Sequence, residues 1–183
     1  LGDGEMFINM KQEDRAIAEY QKILAIKPDN ATVYTLIGML EDSRKNYDAA
    51  ADNYRKALEK DPNSVIAANN LAWLYAVQDK GNLDEALRLA QGVVQKNPNI
   101  AGFVDTLGWV YVKKGMVDLA LKSLEVSVSK QPGNAVFRYH LGVAYAKSGQ
   151  IDLARANLEE ALKLNPNFEG SDEARRILSS LKG

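Results

Sequence analysis

The stretch DTLGWVYVKKGMVDLALKSLEVSVSKQPGN, Asp105 to Asn134, decides the fold. Apolar residues recur at helical spacing on either side of Lys113-Lys114-Gly115, which predicts two helices with a break at the glycine. Pro132 ends the second helix, because proline lacks the N–H that a continuing helix needs, and Asn134 stands ready to start the next.

The same text recurs along the whole chain. The five prolines, Pro28, Pro62, Pro98, Pro132 and Pro166, sit in KPDN, DPNS, NPNI, QPGN and NPNF. Their separation is about 34 residues, with Pro62 to Pro98 longer by about two, and that period belongs to helix-turn-helix repeats. Ala16, Ala50, Ala86, Ala120 and Ala154 hold one small-residue position ahead of each proline, and Gly38, Ala72, Gly108 and Gly142 hold another. Small side chains at fixed places in paired helices mark close helix approach. Gly81, Gly115 and Gly149 break the chain between paired helices, with Asn46 as the expected substitute in the second repeat. Three residues past the small position stand Tyr75, Tyr111 and Tyr145, with Glu41 in the second repeat.

These residues, with Tyr20 and Tyr54, resemble the tetratricopeptide repeat (TPR) family over essentially the entire chain. NNLAWLYA, DTLGWVYVKKG and YHLGVAYAKSG are also similar to bacterial TPR proteins of exopolysaccharide and exosortase systems at the cell envelope. The fold implied is all-α, a right-handed superhelical solenoid of antiparallel helix pairs. The expected division of residues 1–183 is a partial first repeat at 1–30, repeats at 31–64, 65–100, 101–134 and 135–168, and a capping helix at 169–183. Only about half of a first helix fits between Leu1 and Met10, ahead of a second helix from Glu13 to Ile26, so the N-terminal end is expected to be a cut surface. Ser171, Glu173 and Ala174 open an amphipathic helix carrying Ile177, Leu178 and Leu181 on one side. A cap of this kind covers the stacking face of the last repeat, and a true C-terminus is expected there.

The resemblance implies that the first helices line a concave groove. Its residues are Thr32, Thr35, Met39, Asp42 and Ser43 in the second repeat, and Ile66, Asn69, Trp73, Ala76 and Val77 in the third. The fourth supplies Gly102, Asp105, Trp109, Val112 and Lys113, and the fifth Val136, Tyr139, Val143, Ala146 and Lys147. Met39, Trp73, Trp109 and Tyr139 form an aromatic and apolar stripe of the type found at interface hot spots. Asn69 and Asn70 offer hydrogen bonds to a peptide backbone. The alternative is that the rings pack on one another or on the adjoining helix, and the sequence leaves both readings open. The family's carboxylate clamp is not reproduced. Asn70 matches one clamp asparagine, but Thr35 and Met39 stand where lysine and asparagine are required, and Gly102 and Thr106 replace two cations. A carboxylate desolvated without those cations is costly enough to exclude a chaperone-tail receptor.

Composition removes other classes. Lys and Arg number 23 against 24 Asp and Glu, a formal net charge of -1, so no uniform field gathers nucleic acid or an anionic membrane. No direct membrane insertion is expected, since Val65 to Val77 is interrupted by Asn69 and Asn70 and falls short of a span. The chain has no cysteine, hence no disulfide or thiolate site, which suits either a reducing or an oxidising compartment. It begins at Leu1 with neither an initiator methionine nor a signal-peptide pattern, as an excised or processed piece would. His140, the sole histidine, has no second histidine or cysteine to complete a metal site, so its expected role is structural or at the surface. Gly2-Asp3-Gly4 lacks the rest of a dinucleotide loop. Glu159-Glu160 and Asp172-Glu173 are helix neighbours that do not face each other, and Arg175, Arg176 and Lys182 form a solubilising patch. Gln78 to Asn82 carries the two-residue excess, as a longer helix or a larger turn, with a minor claim as a specificity loop.

The expectation is a protein-interaction scaffold or adaptor holding a protein or peptide within a bacterial assembly, monomeric or weakly homo-oligomeric, needing no cofactor and performing no catalysis. The alternatives are a self-association module, or the regulatory arm of an enzyme whose catalytic part lies outside this segment.

Overall fold

A computed structural model describes residues 3–181, which form ten helices with no strand among them. Lys182 of the basic patch and Gly2 of the Gly2-Asp3-Gly4 motif lie outside the described residues. The helices are α1 (Asp3–Ile26), α2 (Ala31–Ser43), α3 (Tyr47–Lys60), α4 (Val65–Val77), α5 (Leu83–Lys96), α6 (Ala101–Lys113), α7 (Val117–Lys130), α8 (Ala135–Lys147), α9 (Ile151–Leu164) and α10 (Ser171–Ser180). They fall into two compact units, residues 1–74 and 75–183, the division lying inside α4.

Three of the five loops that follow a proline start the next helix with a side-chain cap, whereas Ile100 and Gly170 at the other two make no side-chain cap bond. Asn30, Ser64 and Asn134 accept from the amides of Val33, Ala67 and Phe137 at 3.2, 3.4 and 3.1 Å, satisfying donors that the first turn leaves open. The proline carbonyl is engaged as well: Tyr34, Arg138 and Arg175 donate to the carbonyls of Pro28, Pro132 and Pro166 at 3.3, 3.0 and 2.6 Å.

In the first unit α1 packs on α2 and α2 on α3. Ile17, Val33 and Ile37 are the buried core between α1 and α2, with Tyr20, Leu24 and Leu40 against it. Arg44, at the end of α2, reaches Asp14 at 2.8 Å and Glu13 at 3.8 Å on α1. Residues 3–26 are one unbroken helix, not the half-helix and separate second helix expected from the sequence. Nothing from Met10 to Glu13 is glycine or proline, so no residue there favours a break.

In the second unit α5 to α10 pack each on the next in chain order, α6 also meets α8, and α10 closes on α8 and α9. The small residues sit where helices come closest. Ala86, Ala120 and Ala154 have no exposed surface. A Cβ added to Gly108 would lie 2.6 Å from Leu124, and one added to Gly142 2.7 Å from Leu158. The first unit repeats the arrangement with Gly38 against Tyr54 at 2.6 Å.

The turn expectations need one correction. Gly115 and Gly149 take φ of +75° and +79°, and the residue with φ of +62° between α2 and α3 is Lys45, not Asn46. The hydrogen bonds fix this register: Asn46 N to Glu41 O at 2.8 Å matches Met116 N to Tyr111 O at 2.9 Å and Gln150 N to Tyr145 O at 3.0 Å. The six-to-one bond belongs to the residue after the left-handed one. The two-residue excess enlarges the turn, since α4 has 13 residues, as do α2, α6 and α8. Gly81 is required there for space alone, a Cβ falling 1.8 Å from the Tyr75 carbonyl oxygen.

Candidate functional site

The expected groove residues of α2 and α4 fall in the first unit, except Ala76 and Val77 at the end of α4, and those of α6 and α8 fall in the second. In the first, Met39 is exposed and Trp73 half-buried, whereas Thr35 is buried with its hydroxyl donating to the Ala31 carbonyl at 3.0 Å. Asn70 hydrogen-bonds Tyr54, whose phenol is pushed up chiefly by burial, then by Asp42. The Asn69 amide donates to Asn70 at 3.5 Å, while its buried Oδ1 has no hydrogen-bond partner among the described residues.

The second unit brings more together. Asp105, Trp109 and Lys113 stand four residues apart on α6, and Tyr139, Val143 and Lys147 stand four apart on α8, so each set follows one helix face. Trp109 stacks on His140 with ring centres 4.2 Å apart and planes at 24°. Tyr139 tilts against Trp109 at 5.8 Å, His140 at 5.5 Å and Phe168 at 5.5 Å. Gly170, with φ of +109°, lies against the same phenol ring, and a Cβ there would meet it at 2.7 Å. The α10 connection thus clamps Tyr139 from the far side.

Beneath Trp109, His140 Nδ1 stands 2.9 Å from both carboxylate oxygens of Asp105. With a carboxylate as acceptor, Nδ1 is the donor. Asp105 is 4% exposed and His140 1%, which removes the surface alternative for the histidine and commits Asp105 to a structural bond. A buried carboxylate needs such a partner. Trp109 and Tyr139 are each 7% exposed, so most of both rings is spent on packing and only their edges reach solvent.

Those edges line a cleft of about 260 Å3 together with Val112, Lys113, Val143, Lys147 and Glu173. The Lys113 ammonium lies 5.2 Å from the Trp109 ring centre, within cation–π range. Arg176 donates to both Glu173 oxygens, at 2.8 and 2.5 Å. That hydrogen bonding holds the Glu173 carboxyl below its ordinary range, and the charges of Arg176, Lys113 and Lys147 add to it. Tyr139 is pushed up to about 12, first by burial and then by Glu173.

His140, Phe168, Glu173 and Arg176 are parts of this site that the sequence reading did not include. One signal for His140 was present: the repeat of about 34 residues puts Tyr139 in register with Asp105, so the next residue along faces back toward the preceding helix. The α10 side chains had no such signal, because α10 departs from the repeat.

Three tetratricopeptide repeat profiles match residues 4–30, 35–99 and 135–168. The chain belongs to the tetratricopeptide repeat family. Over 83 residues it is 36% identical to the probable biofilm formation methyltransferase WspC of Pseudomonas putida, a match covering 45% of this chain and 19% of that protein. It is 26% identical over 95 residues to the photosystem I assembly protein Ycf3 of Prochlorococcus marinus, covering 50% of this chain and 54% of that one. The matched stretches therefore span about a fifth and about half of these curated relatives. Among solved structures, YrrB, described as a TPR protein with an unusual peptide-binding site, superposes with a TM-score of 0.70 at 24% identity, over 94% of this chain and 88% of its own. The fold class is accordingly the all-α TPR solenoid, and TPR arrays serve as protein-interaction scaffolds. Among the described residues no helix is long and apolar enough to cross a membrane, and no group of three or more His, Asp or Glu is placed to hold a metal.

Proposed function

We propose that this TPR array is an adaptor that holds a protein or peptide segment on the face built by its first helices, within a bacterial multiprotein assembly. The supporting observation is the cleft of the second unit, lined by the buried Trp109, Val112, Tyr139 and Val143 and by the polar side chains of Lys113, Lys147 and Glu173. Met39 and Trp73 continue the proposal on α2 and α4, each described within its own helix. Ligand sites of this kind combine apolar lining with a few placed polar groups. Asp105 supports the floor by holding His140 under Trp109, and does not contact the ligand.

A photo-crosslinking benzoylphenylalanine placed at Met39 or Ile66, both exposed, should trap a partner in bacterial cells, whereas the same group at Leu119, exposed on α7, should not. Trapping at Leu119 alone would move binding to the second-helix face and end this reading.

A second reading rests on the match to WspC, a methyltransferase by name. On that reading these repeats are the regulatory or targeting arm of a longer catalytic chain, and the partner segment belongs to that chain.

A further inference from the structure

Lys113 ends α6 and Lys147 ends α8, one repeat apart on the same face, and both are exposed. Neither lysine lies within salt-bridge distance of a carboxylate among the described residues, and Lys113 stands over the Trp109 ring. Helix C-termini favour cations, but two like charges side by side repel and draw an anion between them. The carboxylate nearest to that role is Glu173, which lines the same cleft and is committed to Arg176 by two hydrogen bonds. Its acidity is raised first by Arg176 and also by both lysines, so the fields of Lys113 and Lys147 converge where a carboxylate sits. Beside this point Trp109, Tyr139 and Val143 also line the cleft, but each is buried and the cleft's open surface is mainly that of the charged side chains. Two ammonium groups on one cleft complement a carboxylate, here that of an aspartate or glutamate within a protein segment.

Building on the adaptor reading above, we infer that the cleft between α6, α8 and α10 receives an acidic side chain of a protein partner between Lys113 and Lys147. Glu173 competes for the same cations and sets how readily the partner enters. The occupant is thus an acidic segment, and α10, through Glu173, is part of the recognition surface.

The test selects binders from a bead-displayed random peptide library with the whole chain, then measures each against Lys113→Met/Lys147→Met and Glu173→Gln. All three side chains reach solvent, and unchanged circular dichroism confirms folding. Expected are binders enriched in Asp or Glu, weakened about tenfold by the lysine double variant and tightened by Glu173→Gln. Binders that are lost on Met39→Glu but carry no acid, and are indifferent to the lysine variant, overturn this inference and leave the adaptor reading standing. Failure to select any peptide that depends on Met39 or the lysines overturns both.

Discussion

Gly142 and Gly92 are both helical glycines, and their surroundings predict opposite responses to the same kind of change. At Gly142 an added Cβ meets Leu158 Cγ at 2.7 Å and the Ala154 carbonyl at 3.3 Å, and Leu158 is itself fully buried. Overpacking of that kind costs about 1–3 kcal/mol, more than the helix propensity regained. Gly92, on α5, has nothing within 4 Å of the same position. Urea denaturation should therefore show Gly142→Val losing about 2 kcal/mol and Gly92→Ala gaining up to about 1 kcal/mol. A stabilised Gly142→Val would mean that α8 and α9 have room to separate, and that the repeated glycine is not there for contact.

At the scale of the element, the turn between paired helices is built on one left-handed residue. Gly115 and Gly149 adopt it without a Cβ clash, whereas Lys45 adopts it at φ of +62° with one. Lys45→Gly should stabilise the protein by about 1 kcal/mol, the left-handed penalty removed less the extra chain entropy of glycine. Thermal melts of Lys45→Gly beside Asn46→Gly decide the register: a gain for Asn46→Gly alone would place the left-handed residue one position later. The helices themselves were legible because proline and its capping Asn or Ser act within a few residues. The exact turn residue was not, because Asn also tolerates the left-handed region and was favoured on type, while the register depends on the six-to-one bond between Asn46 and Glu41. The unbroken α1 was misread for a related reason. A repeat pattern predicts a break by analogy with Gly115, but Met10 to Glu13 contains nothing that makes one.

Over the whole molecule, periodicity revealed which residues share a face, but not how deeply each is buried. Trp109 and Asp105 fall where the groove was expected, yet both are committed to His140, a pairing set by packing between α6 and α8. Burial also reaches both units through their tyrosines, and this gives the protein a specific alkaline response. Tyr54 in the first unit is pushed up chiefly by burial, and Tyr139 and Tyr145 in the second are pushed up to about 12, from an ordinary phenol value of 10.0. For Tyr145 burial is the first cause, and its hydrogen bond to Glu125 at 2.8 Å is the second, since a phenolate would face a carboxylate. A phenol whose folded value is raised contributes stability that is complete below pH 10 and lost as pH climbs toward 12, because the unfolded chain releases its proton first. Tyr145→Phe removes that liability along with a hydrogen bond worth about 1 kcal/mol. At neutral pH the variant should be the less stable protein by roughly that amount, and the gap should narrow as pH rises from 10 to 12, when the native chain alone must hold the phenol neutral. Urea denaturation of both proteins across that range checks it. A gap that stays constant would mean that Tyr145 ionises in the folded protein as freely as in the unfolded one, and that Glu125 and burial do not hold its proton in place.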